Sequence, residues 1–257
     1  MSRSRGSEAP ATSPEALLQK ASLARTSGLR AKYAQRGLSQ DHLVDRTTRT
    51  LLLRQLYLSH VERRQFDDAL EVAEQMVRLD VMPDVALQDA ARACLALRRV
   101  DDAVRYLRSA GRRSPASRRA FHWWTLGSVL ALNGHPRKAV AVLDRAIRWG
   151  TTDRPLYRAQ HALAQLACGD EPGDLDELRS RLAEAPCGQG YGRFVLGELA
   201  YHAGADDEAL QYLTEFIQRS TTGRVALAVA LEAEISRARM LVRRLRQRTR
   251  NSKPPAT

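Results

Sequence analysis

Four short segments of this chain repeat one pattern, in which two charged residues precede an alanine that is followed by leucine or valine. The segments are FDDALEVA, VDDAVRYL, PRKAVAVL and DDEALQYL, and their alanines are Ala69, Ala103, Ala139 and Ala209. Successive alanines lie 34, 36 and 70 residues apart, and the last interval equals two repeats of 35. Self-similarity at this period is typical of stacked helical hairpins, in which each pair of antiparallel helices buries its apolar side against the next pair.

The third copy carries the fullest version of the pattern. Its spacing is W-x2-L-G, then a glycine, then A-x3-L-x2-A, at Trp123, Leu126, Gly127, Gly134, Ala139, Leu143 and Ala146. This spacing resembles the consensus of the tetratricopeptide repeat. The resemblance implies an all-α fold, a right-handed α-solenoid, in which Trp123 and Leu126 fill the seam of a hairpin. Gly127 is then the position that lets the second helix approach closely.

Alignment on this pattern gives about five to six helix-turn-helix repeats and a C-terminal capping helix. We expect a degenerate hairpin at 14–46, in which Gly28 forms the turn. The other expected segments are repeats at 47–83, 84–118, 119–154, 155–188 (degenerate) and 189–222, a basic capping helix at 223–249, and disordered ends at 1–13 and 250–257.

Three local departures from the pattern give further expectations. Tyr57 stands where the first repeat should have a small residue, so that hairpin should open or rotate slightly. Gly169, Pro172 and Gly173 crowd the turn of the degenerate repeat, so its second helix should start late, near Leu175. The glycine-rich segment CGQGYG joins two hairpins, and we interpret it as a flexible connector.

Composition limits the class of protein. The chain has 257 residues, of which 44% are hydrophobic, and we expect one architectural unit with a core spread along its length. It shows no apolar run long enough to span a bilayer and no secretory signal, so we expect a cytoplasmic protein. Arginine outnumbers lysine 37 to 4, which we interpret as the codon bias of a G+C-rich, bacterial genome.

The net charge of +12 is concentrated at the ends of the chain. Residues 1–38 hold seven basic and two acidic residues, and residues 224–257 hold nine basic and two acidic residues. The span between them holds 25 of each sign. A neutral body argues against nucleic acid lying along the array.

A basic patch remains at the C-terminal end, in Arg237, Arg239, Arg243, Arg244, Arg246, Arg248, Arg250 and Lys253. It either binds phosphate or an acidic protein, or is a solvated helix surface.

The sequence gives no indication of catalysis. Its six histidines form no H-E-x-x-H motif, and it has no G-x-x-x-x-G-K-[ST] loop and no G-x-S-x-G motif. His161 and Cys168 are seven residues apart, a spacing that we interpret as structural. Cys94, Cys168 and Cys187 have no paired spacing and should be ordinary thiols. We therefore predict a protein that is not an enzyme, with no metal and no cofactor.

Function should then depend on binding. The resemblance implies a groove lined by the first helix of each hairpin, at positions two, five, nine and twelve of the repeat, and this groove accepts an extended peptide or a helix. In this sequence the candidate groove residues are Arg54, Leu58, Gln88, Arg92, Phe121, Trp124, Ser128, Tyr191, Phe194, Glu198 and Tyr201. Five of them are aromatic, although aromatic residues make up only 5% of the chain. Such a group suits a binding hot spot, and the alternative is that Phe121, Trp124 and Phe194 pack against neighbouring helices.

Three functions stay open at this stage. The first is a protein-protein adaptor or scaffold that binds a segment of a partner protein in the groove. The lysine and asparagines with which some family members clamp a C-terminal carboxylate are missing, but Arg54 and Arg92 could still meet an acidic peptide. The second is binding of nucleic acid or an acidic partner through the basic C-terminal helix, and the third is self-association as a homo-oligomer through an open end of the array.

Overall fold

The computed structural model describes residues 13–223 and 225–251, and its regular elements there are α-helices and two short 3-10 turns. These residues form two compact units that divide between Ala93 and Cys94, whereas composition predicts a single unit. In a repeat array each hairpin contacts mainly its neighbours, so a long array separates readily into units. The ends predicted to be disordered lie largely outside the described residues, as do Arg224 and Lys253.

The first unit is a series of antiparallel helices with short connections. The elements are α1 (Pro14–Leu23), α2 (Ser27–Leu38), a 3-10 turn (Asp41–Leu43), α3 (Arg46–Glu62), α4 (Phe66–Leu79) and most of α5 (Pro83–Ala96). Helix α1 packs against α2, α2 against α3, and α3 against α4. The predicted turn at Gly28 is wrong. The Thr26 hydroxyl accepts a hydrogen bond from the Leu29 amide at 3.3 Å, and this cap starts α2 before the glycine.

The second unit, described by itself, is also a series of helices with short connections. Its elements are α6 (Val100–Arg113), α7 (Ala116–Leu132), α8 (Pro136–Trp149), α9 (Arg154–Cys168), α10 (Leu175–Glu184), a 3-10 turn (Pro186–Gly188), α11 (Gly192–His202), α12 (Asp206–Thr221), α13 (Val225–Ala230) and α14 (Glu232–Asn251). Helix α10 begins at Leu175, as the crowded turn before it predicts. Asp174 caps this helix, because its carboxylate accepts hydrogen bonds from the amides of Asp176 and Glu177.

The four repeated alanines occupy the same place in four helices. Helices α4, α6, α8 and α12 begin at Phe66, Val100, Pro136 and Asp206, so each alanine is the fourth residue of its helix. All four alanine side chains are 0% exposed. A methyl group is small enough to lie where helix backbones come close. The repeated alanine therefore has the same structural role in the first turn of all four helices.

Gly127 and Gly197 are the points of closest approach within two hairpins. A Cβ atom on Gly127 would lie 2.5 Å from Cγ of Leu143, and one on Gly197 would lie 2.6 Å from Cγ of Leu213. In both hairpins the leucine follows the glycine by sixteen residues. A side chain other than hydrogen at either glycine would therefore push the second helix away from the first.

In the first repeat the large residue is on the first helix and the small residue is on the second helix. It has Tyr57 at the glycine position, and the residue sixteen positions later is Ala73 instead of leucine. Tyr57 is 2% exposed and Ala73 is 0% exposed, and the Tyr57 hydroxyl donates a hydrogen bond to the Asp89 carbonyl at 2.9 Å. The small residue on the second helix makes room for the large residue on the first, so the tyrosine is a core residue of this hairpin.

The three-residue turns between four pairs of consecutive helices share one backbone conformation. Their middle residues are Arg64, Arg98, Gly134 and Gly204, which have φ values of 57°, 62°, 77° and 77°. In each turn the next amide donates to a carbonyl five residues earlier, for example Gln65 to His60 at 2.9 Å and His135 to Leu130 at 2.9 Å. This is the hydrogen bond of a Schellman motif, which favours glycine at the left-handed position.

The end of the second unit differs from the single helix predicted at 223–249. The segment forms two helices, with α13 ending at Ala230, and α14 continues to Asn251. In α14 the apolar stripe is buried as predicted, with Leu241 at 0% and Leu245 at 1% exposure. In α13, Val225 and Leu227 are 50% and 46% exposed and no residue is fully buried, so the buried apolar stripe belongs to α14.

The CGQGYG segment is a tight turn. A Cβ atom on Gly188 would lie 2.0 Å from the Leu182 carbonyl oxygen, and one on Gly192 would lie 2.1 Å from the Cys187 carbonyl oxygen. The interpretation of this segment as a flexible connector is therefore wrong, because these glycines allow close backbone contact between the end of α10 and the start of α11.

The contact between Gly127 and Leu143 predicts a non-additive pair of substitutions. Gly127→Ala should destabilise the protein by about 1 to 3 kcal/mol, because the new methyl group overlaps the leucine side chain. In a Leu143→Ala background the same change should be neutral or stabilise by up to about 1 kcal/mol, because alanine is the better helix former. Urea unfolding of the four proteins measures this coupling. Equal effects of Gly127→Ala in both backgrounds would contradict the proposed packing.

The shared turn conformation predicts opposite effects of exchanging arginine and glycine. Arg64→Gly should stabilise the first unit by about 1 kcal/mol, because glycine adopts a positive φ without steric cost. Gly134→Ala should destabilise the second unit by a similar amount, since no atom lies within 4 Å of its Cβ position and only the backbone conformation opposes the change. Thermal unfolding gives the sign of both effects, and a destabilised Arg64→Gly protein would refute the common turn geometry.

Candidate protein-interaction surface

Two arginines in the first unit converge on one buried carboxylate. Nε of Arg54 on α3 lies 3.1 Å from Oδ2 of Asp89 on α5, and Nη1 of Arg92 lies 3.5 Å from Oδ1 of the same residue. The Asp89 side chain is 2% exposed, whereas the two arginine side chains are 39% and 41% exposed. Burial raises the pKa of Asp89, and the positive charges of Arg54 and Arg92 oppose that shift. The carboxylate fixes two guanidinium groups that solvent still reaches.

Apolar side chains lie beside these arginines on the same helix faces. Leu51 and Leu58 are three residues before and four residues after Arg54 on α3, and Val85 is seven residues before Arg92 on α5. All five residues are half-buried, and we call them the first-unit patch (Leu51, Arg54, Leu58, Val85 and Arg92). Gln88, also predicted to line the groove, is only 4% exposed and belongs to the interior.

The predicted groove aromatics of the second unit form a buried cluster. The ring centroids of Trp124 and Tyr191 are 4.8 Å apart, those of Tyr191 and Phe194 are 5.7 Å apart, and those of Phe194 and Phe216 are 5.3 Å apart. Phe194 is 0% exposed, Phe216 is 1% exposed and Trp124 is 9% exposed. The structure therefore places Trp124 and Phe194 in the core, where a partner cannot reach them. Phe216 lies on the second helix of its hairpin, so the groove pattern did not include it.

Polar groups connect these aromatics across three helices. Nε1 of Trp124 donates to Oε1 of Gln160 on α9, and Nε2 of Gln160 donates to the Tyr191 hydroxyl at 3.4 Å. That hydroxyl donates to Oε1 of Glu234 on α14 at 3.2 Å. Burial of the hydroxyl, together with the nearby Glu234 carboxylate, raises the pKa of Tyr191. Ser128 is 3% exposed, and its hydroxyl donates to the Trp124 carbonyl at 3.0 Å. These groups orient the cluster internally.

Helix α14 covers the remaining predicted groove positions of α11. Nε of Arg237 donates to Oε1 of Glu198 at 2.9 Å, and Nη2 of Arg248 donates to the Tyr201 hydroxyl at 3.2 Å. The Arg248 guanidinium also lies 4.7 Å from the centroid of the Tyr201 ring and 3.2 Å from the Asp206 carboxylate. Burial raises the pKa of Glu198, and the charge of Arg237 opposes this shift. Glu198 and Tyr201 thus bind a helix of the same chain.

The position of α14 corresponds to the first helix of a further repeat. It packs mainly against α12 and also contacts α11, just as α9 packs mainly against α8 and also contacts α7. Its buried residues include Ile235, Ala238 and Leu241. The cap therefore closes the apolar surface of the last hairpin, which would otherwise be open to water.

The seven predicted basic-patch residues that the structure describes divide into two groups. Arg237 and Arg248 make the contacts with Glu198, Tyr201 and Asp206. The other five are exposed and form no ion pair within the described part of the chain: Arg239, Arg243, Arg244, Arg246 and Arg250.

Phe121 is the groove aromatic that stays open to solvent. It is 38% exposed, and its ring centroid lies 5.6 Å from that of Trp124. The five predicted groove aromatics thus differ in kind. Trp124 and Phe194 are core residues, Tyr191 and Tyr201 contact α14, and Phe121 is a partly exposed neighbour of the cluster.

Other chemistry in the described residues is limited. Nε2 of His161 lies 3.2 Å from the Asp144 carboxylate, so this histidine has a partner on α8. Across residues 13–223 and 225–251, no group of three or more His, Cys, Asp and Glu residues is arranged to hold a metal ion. Within the same residues, no helix combines the length and the apolar character needed to cross a bilayer.

Among known proteins, the matches to this chain are matches of structure and not of sequence family. No protein-family model matches the sequence, and no curated protein matches it. Solved structures do match. The crystal structure of MamA protein is 16% identical with a TM-score of 0.51, and the match covers 75% of this chain and 94% of that chain. The C-terminal part of a TPR repeat-containing protein from Cytophaga hutchinsonii is 13% identical with a TM-score of 0.52, covering 90% and 93% of the two chains. The chain has the tetratricopeptide-repeat fold, which confirms the resemblance and the all-α class predicted from the sequence.

Burial of Phe194 and exposure of Phe121 predict different effects of the same substitution. Phe194→Ala should lower the free energy of unfolding by about 3 to 5 kcal/mol, because it leaves a cavity inside the aromatic cluster. Phe121→Ala should cost about 1 kcal/mol or less, because much of the ring already contacts water. Chemical denaturation of the full chain measures both changes. Similar small losses for the two variants would contradict the burial of Phe194.

Proposed function

We propose that the chain is a non-catalytic adaptor that binds a segment of a partner protein on the first-unit patch. The observation that carries this proposal is the pair of half-exposed guanidinium groups that Asp89 holds beside Leu51, Leu58 and Val85. Charged groups that are fixed before binding lose little conformational entropy when a partner arrives. The patch therefore combines an apolar contact area with oriented hydrogen-bond donors.

The chemistry of the patch indicates what kind of segment it binds. Two arginines around one aspartate leave a local excess of one positive charge, and guanidinium groups pair well with carboxylates. The half-buried leucines and valine offer contacts to apolar side chains. The preferred ligand is therefore a peptide or helix that presents acidic residues next to apolar residues.

The inner-face positions of the last hairpin support placing the site in the first unit. Glu198 and Tyr201 make their contacts with α14, and Phe194 is buried. A partner could use these groups only by replacing contacts that the chain already makes. Arg54 and Arg92 also contact Asp89, but their side chains stay 39% and 41% exposed, and Leu58 is half-buried, so a partner can reach all three without displacing a helix.

Capture from a lysate of the source cells tests this proposal when each patch variant has a matched control. Leu58→Asp and Arg92→Gln change the patch. Leu43→Asp and Arg78→Gln make the same changes at exposed positions of the same unit, in the 3-10 turn and at the end of α4. We expect at least one protein to be retained by both controls and lost from both patch variants.

A direct binding measurement then gives the loss of affinity that each patch variant causes. An acidic, apolar peptide from the captured protein should bind the native chain, and each patch variant should weaken that binding about tenfold or more, as titration calorimetry would show. Circular dichroism must show that the patch variants keep their helical content. If the patch variants and the controls retain the same proteins with the same affinity, the binding site is not this patch.

A further inference from the structure

One face of α14 carries a row of arginines that the fold does not use. Arg239, Arg243, Arg246 and Arg250 are separated by four, three and four residues, so they lie on one side of the helix. At a rise of about 1.5 Å per residue the row is about 16 Å long. All four side chains are exposed, and none forms an ion pair within residues 225–251 or with the rest of the described chain. We call this row the α14 stripe.

The surroundings of the α14 stripe distinguish it from the arginines that pack. Arg237 and Arg248 point to α11 and α12, where they meet Glu198, Tyr201 and Asp206. The stripe lies on nearly the opposite side of α14 from these two arginines, next to the exposed side chains of Ser236 and Gln247. Glu232 is the acidic residue on the same side of α14, and it precedes Arg239 by seven residues, or about 10 Å of helix. The positive charge of the row is therefore not neutralised locally.

The composition of this face favours one class of ligand. Interfaces between proteins are normally built around an apolar core, and the α14 stripe offers arginine, serine and glutamine. Interfaces with nucleic acid are more polar and much more positively charged, and guanidinium groups bind phosphates with two parallel hydrogen bonds. Helix α14 contains no aromatic residue on which an unpaired base could stack, which favours a duplex over a single strand.

We propose that the α14 stripe binds the phosphate backbone of duplex DNA without sequence preference. Each guanidinium would contact a phosphate oxygen along one strand, while α14 stays packed against α12. Side chains that reach only the backbone position a protein on a duplex but do not identify bases. This inference rests on α14 alone and does not depend on the adaptor function proposed for the first unit.

The test compares two quadruple variants of the full chain that lose the same charge. One is Arg239→Gln/Arg243→Gln/Arg246→Gln/Arg250→Gln. The control is Arg108→Gln/Arg112→Gln/Arg137→Gln/Arg148→Gln, which alters four exposed arginines of α6 and α8 in the same unit. Both sets lie on the surface, so circular dichroism and thermal unfolding should be unchanged for either protein.

Fluorescence anisotropy with a labelled random-sequence DNA duplex gives the readout. Between about 50 and 200 mM salt, the affinity of the native chain should fall with a logarithmic slope of about −0.9 for each phosphate contact. The stripe variant should bind at least about tenfold more weakly and lose about three to four units of that slope, and the control should stay close to the native chain. A single-stranded oligonucleotide of the same length should bind more weakly than the duplex.

Three results would overturn the proposal. The first is that the native chain does not bind the duplex at low salt. The second is that both quadruple variants lose affinity equally, because the effect would then come from net charge and not from the α14 stripe. The third is that single-stranded DNA or an acidic polyglutamate peptide binds the α14 stripe more tightly than the duplex does.

Discussion

The close approach of the two helices in the hairpins α7–α8 and α11–α12 is the contact on which the rest of the structure depends. Where the first helix has Gly127 or Gly197, the second helix fills the space with a leucine sixteen residues later, and where the first helix has Tyr57 the second helix has Ala73. Interior packing tolerates little change in volume, so a large residue at one of these positions requires a small residue at the other. This contact sets the distance between the helices, and that distance determines which side chains stay exposed on the first helix of each pair.

The repeat period predicted the second helices well because it comes from a steric requirement. Helices α4, α6, α8 and α12 each place their alanine at the fourth position, and the crowded turn before Leu175 predicted the late start of α10. The turn residues Arg64 and Arg98 were not predictable in the same way. Nothing in an arginine indicates a positive φ, and only their alignment with Gly134 and Gly204 reveals it. The CGQGYG segment illustrates the reverse problem, because glycine is required both for flexibility and for close packing.

The candidate site was harder to predict than the fold, because the exposure of a first-helix residue depends on what packs beside it. Position five holds Arg54 in one repeat and Phe194 in another, and only the first reaches solvent. A basic helix after the last repeat was predictable but its position was not, so the contacts of Arg237 and Arg248 with α11 and α12 could not be foreseen. Asp89 was also missed, because a buried carboxylate between two arginines has no signature in a single sequence.

Helix α14 takes the place of a next first helix and completes the core of the second unit. Hydrogen exchange with mass spectrometry, on the full chain and on a chain that ends at residue 231, tests it most directly. Without α14, helix α12 loses its packing partner and the Tyr191 hydroxyl loses its contact with Glu234, so amide protection should fall strongly in α11 and α12 and much less in α7 and α8. Unchanged protection of α11 and α12 in the shortened chain would contradict the account.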